Sequence, residues 1–119
     1  MSTEHFIDSY VHNGRVAVLV ELSAESDYAI RTEEFKRVAR DVAMHIAASS
    51  PASIASLLEQ AFVKDPALKV GELLAGLSSS LRERICVTRF VRWDTEGRQP
   101  VQPEPPKRPA IAMRNPRRA

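Results

Sequence analysis

The sequence predicts an α+β domain: an antiparallel sheet of three to four strands with helices packed on one face, followed by a disordered C-terminal tail. Three observations carry that expectation: an Asn-Gly turn between strand-like runs, two segments with apolar residues at helical spacing, and a β-branched, aromatic run near residue 90. Together they give the order β-β-α-(β)-α-β, which closes an antiparallel sheet under helices.

The first pair of strands is "SYVH-NG-RVAVLVEL", where Asn13-Gly14 suits a two-residue type I′ turn because both central residues need positive φ. After the turn Val16, Val18, Val20 and Leu22 alternate with Arg15, Ala17, Leu19 and Glu21, so one face is an apolar row that must be covered. The cover is predicted in the next segment, where Phe35, Val38, Val42 and Ile46 recur at spacings of three and four with Ala39 and Ala43 between them. Two starts fit that helix: Thr32 as N-cap with Glu33 and Glu34 in the first turn, or Ser26 with Asp27 earlier. Pro51 stops it, since a residue before proline avoids helical geometry.

"IASLLEQAFV" has no clean period and is read as a strand over Leu57 to Ala61, with "KDPALK" as a turn. Val70, Leu73, Leu74, Leu77 and Leu81 then describe a second helix, weakened at Gly71 and Gly76 by roughly 1 kcal/mol each relative to alanine. "ICVTRFVRW" reads as the closing strand, with Ile85, Val87, Val91 and Trp93 on one side.

Of the 119 residues 44% are hydrophobic, enough for one modest core. No apolar run approaches the roughly 18 residues that span a bilayer, and "MSTEHFIDSY" has no signal-peptide character, so a cytoplasmic protein without membrane contact is expected. Charge divides along the chain: residues 1–94 hold 13 acidic and 11 basic side chains, residues 95–119 hold 2 and 6. The second part also holds six of the eight prolines, so the domain is expected to span 1–94 and the tail 95–119 to be extended, basic and solvated. Contact between that tail and RNA phosphates is the alternative to a merely solubilising role.

No catalytic constellation is apparent. His5 falls at an end expected to fray, His12 beside the turn, and His45 on a helix at the edge of the core, with no spacing that pairs them as metal ligands. Cys86, the lone cysteine, is expected to pack, and no glycine-rich phosphate loop occurs. Neither an enzyme nor a bound cofactor is therefore expected. "ESDYA", by composition alone, is a capped helix start with an aromatic anchor.

The segment "SYVHNGRVAVLVELSAESDYAIRTEEFKRVARDVAMHIAA" closely resembles the core of bacterial translation elongation factor Ts. Members of that family show Tyr-Ile-His…Arg-Val-Gly-Val-Leu-Val-Glu, then Asn-Cys-Glu-Thr-Asp-Phe-Val-Ala-Arg, then a helix ending in Ala-Met-His-Ile-Ala. "LLEQAFVKDPALKVGELLAGLSSSLRERICVTRFVRW" resembles the family's Leu-Leu-Glu-Gln-Pro-Phe-Val-Lys-Asp block with its helix and closing strand. The two blocks cover roughly residues 8 to 94.

The resemblance implies a binding protein that promotes release of GDP from elongation factor Tu. In the family the Thr-Asp-Phe-Val motif contacts the GTPase domain near the magnesium and phosphate site. The matching residues are Ser26, Asp27, Tyr28 and Ala29, with Arg31 closing the motif. Phenylalanine has become Tyr28, valine Ala29, and Asn-Cys Ser23 and Ala24, while Asp27 is unchanged. The resemblance also implies a short member without the family's N-terminal ubiquitin-associated-like domain, in which the long segment before Leu-Leu-Glu-Gln has shrunk to "SSPASIAS". Weakened exchange is the expected result, with a degenerate scaffold for another partner as the alternative. Homodimerisation through an exposed sheet face or edge is left open by how little chain covers the sheet.

Overall fold

The computed structural model describes residues 3–96. Its elements run β1 (Glu4–His12), β2 (Val16–Ala24), α1 (Asp27–Arg31), α2 (Glu33–Ser49), α3 (Ile54–Glu59), β3 (Ala61–Phe62), β4 (Asp65–Lys69), α4 (Val70–Leu81) and β5 (Cys86–Asp94). The architecture is the expected α+β one: a three-stranded antiparallel sheet in the order β1-β2-β5, helices on one face, and a separate two-stranded β3-β4 sheet. The expected tail lies, from Gly97 on, outside the described residues.

β1 and β2 form the predicted hairpin, paired from Glu4 against Ala24 to His12 against Val16. Asn13 and Gly14 both take positive φ, 52° and 67°, and the Arg15 amide donates to the His12 carbonyl at 2.9 Å. β1 begins earlier than "SYVH" suggests, so His5 is not frayed but paired with Ser23. The reason is that Phe6 has a place to go: its ring meets Phe35 of α2 edge to face at 5.5 Å.

Val18, Val20 and Leu22 are buried under Phe35, Val38, Val42 and Ile46, as the two periodicities require. α4 occupies the predicted 70–81 span and buries Val70, Leu74 and Leu77 beside them. A Cβ on Gly71 would come within 3.0 Å of the Leu58 carbonyl oxygen, so glycine here lets α4 approach α3 closely.

Three segments depart from their expected structure. The segment read as a strand over Leu57 to Ala61 is mostly helix: Ser53 Oγ accepts the Ser56 amide at 3.0 Å, caps α3, and turns Leu57 into the core. At six residues the helix is too short to show a period. "KDPALK" is not a turn; Asp65–Lys69 forms β4, and the turn falls on Val63 and Lys64.

The third segment is β5. Ile85 and Val87 are buried, but Val91 and Trp93 lie on the opposite, exposed face. Glu21 pairs with Arg89 while Leu22 pairs with Val87, which leaves Thr88 as an extra residue that reverses the alternation. The Thr88 hydroxyl, 2.7 Å from Glu21 Oε1 and 3.2 Å from the Glu21 carbonyl oxygen, engages the partner strand at the bulge. Past the bulge Arg92 points inward, and its Nε and Nη2 donate to the Ala47 carbonyl at 3.1 and 3.0 Å. It supplies a cation near the C-terminus of α2, whose last turn has no basic residue of its own. Cys86, expected to pack, is instead exposed at the start of β5.

Candidate partner-binding site

Both candidate helix starts are used. β2 ends at Ala24, and Ser26, extended at φ −135° and ψ 156°, caps α1 by accepting the Ala29 amide on its Oγ at 3.2 Å. One residue after α1 ends, Thr32 does two jobs. Its amide and hydroxyl donate to the Ala29 carbonyl at 3.2 and 2.9 Å, and its Oγ accepts the Phe35 amide at 3.1 Å. A single threonine thus closes α1 and opens α2, which makes the pair an elbow rather than one long helix.

The elbow separates the five residues singled out in the sequence. Ala29 is fully buried and joins the core, and Ser26 turns its hydroxyl inward. Asp27, Tyr28 and Arg31 face solvent, with Tyr28 73% exposed, the most exposed of the large hydrophobic side chains described. Arg31 Nε bonds Asp27 Oδ2 at 2.9 Å, an exposed i,i+4 pair of the kind that contributes a few tenths of a kcal/mol. What projects is an aromatic ring flanked by an aspartate already oriented by an arginine.

The base of the tip involves two residues that the sequence reading did not single out. Glu83, in the loop between α4 and β5, accepts the Glu25 and Ser26 amides on Oε1 at 2.9 and 3.0 Å and the Ser26 hydroxyl on Oε2. Glu25 Oε2 reciprocates by accepting the Arg84 amide at 3.0 Å. The hydrogen bond from Ser26 Oγ, helped by the two amides, holds the Glu83 carboxyl below its ordinary value. No short motif marks the pair, since Glu25 and Glu83 are 58 positions apart.

Elsewhere, His45 is fully buried and belongs to the core rather than its edge. Its Nδ1 accepts the Val63 amide at 3.2 Å, so its Nε2 carries the proton toward Gln60 Oε1 at 2.8 Å. Among the described residues no group of three or more histidine, cysteine or acidic side chains could hold a metal ion, and no helix is long and apolar enough to cross a membrane. The outer face of the main sheet carries exposed Ile7, Val11, Leu19, Val91 and Trp93.

Fold and site together define a small α+β module that presents a few side chains from a short, firmly based helix beside a sheet. Comparison with known proteins gives the family. The model of the family described as Elongation factor TS matches residues 1–56. Elongation factor Ts of Rubrobacter xylanophilus is 33% identical over 134 residues, covering 74% of this chain and 69% of its own. That of Alkaliphilus oremlandii is 30% identical over 139, covering 79% and 64%, and that of Koribacter versatilis 31% over 139, covering 78% and 64%. The chain belongs to the elongation factor Ts family. It spans a little under two thirds of the length of the Alkaliphilus relatives. In the Alkaliphilus oremlandii comparison 79% of 119 residues, about 94, align over 139 positions, so about 45 positions of the relative face no residue here.

Proposed function

We propose that this chain is an exchange factor that docks on the GTPase domain of elongation factor Tu through Asp27, Tyr28, Arg31 and the start of α2, and promotes release of GDP. The observation that carries the reading, beside family membership, is the tip itself: Tyr28 stands 73% exposed on a helix whose other side is buried and bonded. An exchange factor works by binding the nucleotide-free partner more tightly than the nucleotide-bound one. A ring and a carboxylate pushed beside a magnesium site would supply that difference. Ser26 and Ala29 serve from below, as cap and core contact. No bond-breaking chemistry is required of the chain, and the compartment of its action is the cytoplasm.

Stopped-flow release of a fluorescent GDP analogue from elongation factor Tu tests this. Acceleration that rises with protein concentration and disappears in Asp27→Ala with Tyr28→Ala is expected. No acceleration at high micromolar protein sinks the reading, and an unchanged rate in the double variant moves the action to another surface.

A second copy of the chain is the occupant we assign to the outer sheet face. Its apolar centre, Ile7, Leu19 and Val91, lies exposed on one face of the sheet, and the same face of a second copy would cover it in a two-fold pairing. Sedimentation equilibrium expects a dimer that Leu19→Glu dissociates; a monomer at millimolar concentration rejects it. For the basic segment 95–119 a solubilising role is the reading kept, and a salt-sensitive gel shift of RNA lost on deleting those residues would instead favour the alternative of RNA contact.

A further inference from the structure

The β2–β5 ladder ends where Ser23 pairs with Cys86, and no strand pairing joins residues 24–26 to 83–85. Across that gap the connection continues through side chains: Glu83 takes three hydrogen bonds from residues 25 and 26, and Glu25 takes one from residue 84. What these bonds secure is α1, five residues long. A helix that short does not hold itself, because the cost of ordering its first turn is not repaid by further turns. Its shape depends on the Ser26 cap and the burial of Ala29. The cap in turn depends on Glu83, since a serine hydroxyl that donates to a carboxylate has its lone pairs aimed elsewhere, here at the Ala29 amide.

We propose that Glu83 is a positioning residue for partner docking: its carboxylate fixes Ser26, and through Ser26 the orientation of α1, so that Asp27 and Tyr28 are presented ready-formed. This rests on the reading of that tip as the contact for elongation factor Tu. Glu83 does not project with the tip. It acts by removing alternatives, so that binding does not have to order α1 at the moment of contact. The carboxylate is the right group for this role, being acceptor-only when ionised and able to take all three donors at once.

The test uses the full chain, amide hydrogen exchange by NMR, and titration against nucleotide-free elongation factor Tu. Glu83→Ala should speed exchange at Ala29 and its α1 neighbours about tenfold, leave Val38 to Ile46 unchanged, and weaken binding about tenfold. Glu83→Gln, which keeps an oxygen for the two amides but offers Ser26 Oγ no anionic acceptor, should fall between the two and guards against misfolding of the alanine variant. Combined with Tyr28→Ala, Glu83→Ala should cost little more, because both act through one tip. Unchanged exchange at Ala29 in both variants overturns the proposal. So does faster exchange with unchanged affinity, or fully additive losses with Tyr28→Ala. Failure of the unsubstituted chain to bind would overturn the docking reading itself, and it shows before any variant is compared.

Discussion

Gly71 of α4 lies against Leu58 of α3 so closely that a Cβ at 71 would stand 3.0 Å from the Leu58 carbonyl oxygen. A backbone oxygen cannot rotate away, so the two helices would have to part. At Gly76 a Cβ would meet nothing within 4 Å. The two glycines are equivalent in sequence terms, and the structure gives them opposite signs. Gly76→Ala should raise stability by about 0.5–1 kcal/mol. Gly71→Ala should lower it by about 1 kcal/mol as overpacking outweighs the same propensity gain. Urea unfolding of both variants checks this; a stabilised Gly71→Ala would show that α3 gives way cheaply.

Arg82 ends α4 in the left-handed region, at φ 59° and ψ 39°, where a side chain is penalised and glycine is not. Its neighbour Glu83 bonds the tip, so the turn is needed even though the residue is ill suited to it. Arg82→Gly should raise the midpoint of thermal unfolding, with a gain of about 0.5–1 kcal/mol after allowing for the looser unfolded chain. No gain would mean that the arginine makes up its strain elsewhere.

His45→Leu keeps the volume roughly but takes their buried imidazole partner from the Val63 amide and the Gln60 oxygen, in a part-buried place. The expected loss is about 1–3 kcal/mol by denaturant unfolding. A loss under about 1 kcal/mol would show that water replaces the imidazole.

Acid should loosen the base of the tip. Hydrogen bonds from Ser26 and two amides depress the Glu83 carboxyl below its ordinary 4.5. A depressed carboxyl contributes its stability in full above the unfolded value and loses it as pH falls through the folded one. The difference in thermal midpoint between the unsubstituted chain and Glu83→Gln should therefore be constant from neutrality down to about pH 5, then shrink in stronger acid. A difference that persists well below pH 4.5 would assign it to something other than ionised Glu83.

What could be read in the sequence was local. Asn13-Gly14 states its turn through the positive φ it tolerates, and the spacing Val70, Leu74, Leu77 states a helix without help from the rest of the chain. Ser26 and Thr32 are both recognisable as caps in the sequence, and the fold uses each for its own helix. What could not be read depends on distant pairing. The extra residue at Thr88 exists because β5 must meet Glu21 and Leu22 in register, and nothing near Thr88 announces it. Glu83 looks like any surface glutamate until β2 and β5 bring it beside Ser26. Asp27 and Tyr28 stand out through resemblance, and only the folded chain separates them from Ala29, one residue past Tyr28 and fully buried.

The bulge at Thr88 also leaves the molecule with a natural optical probe. By turning Trp93 outward it places the chain's single indole in solvent, 64% exposed, across from Ala17. Ala17 and Ala24 are seven residues apart on β2, so the indole stands about 23 Å along the strand from the root of α1. Its emission should shift to the blue when anything covers the outer sheet face and stay unmoved when only Tyr28 is engaged. One fluorescence trace can therefore distinguish two kinds of company without any label being attached.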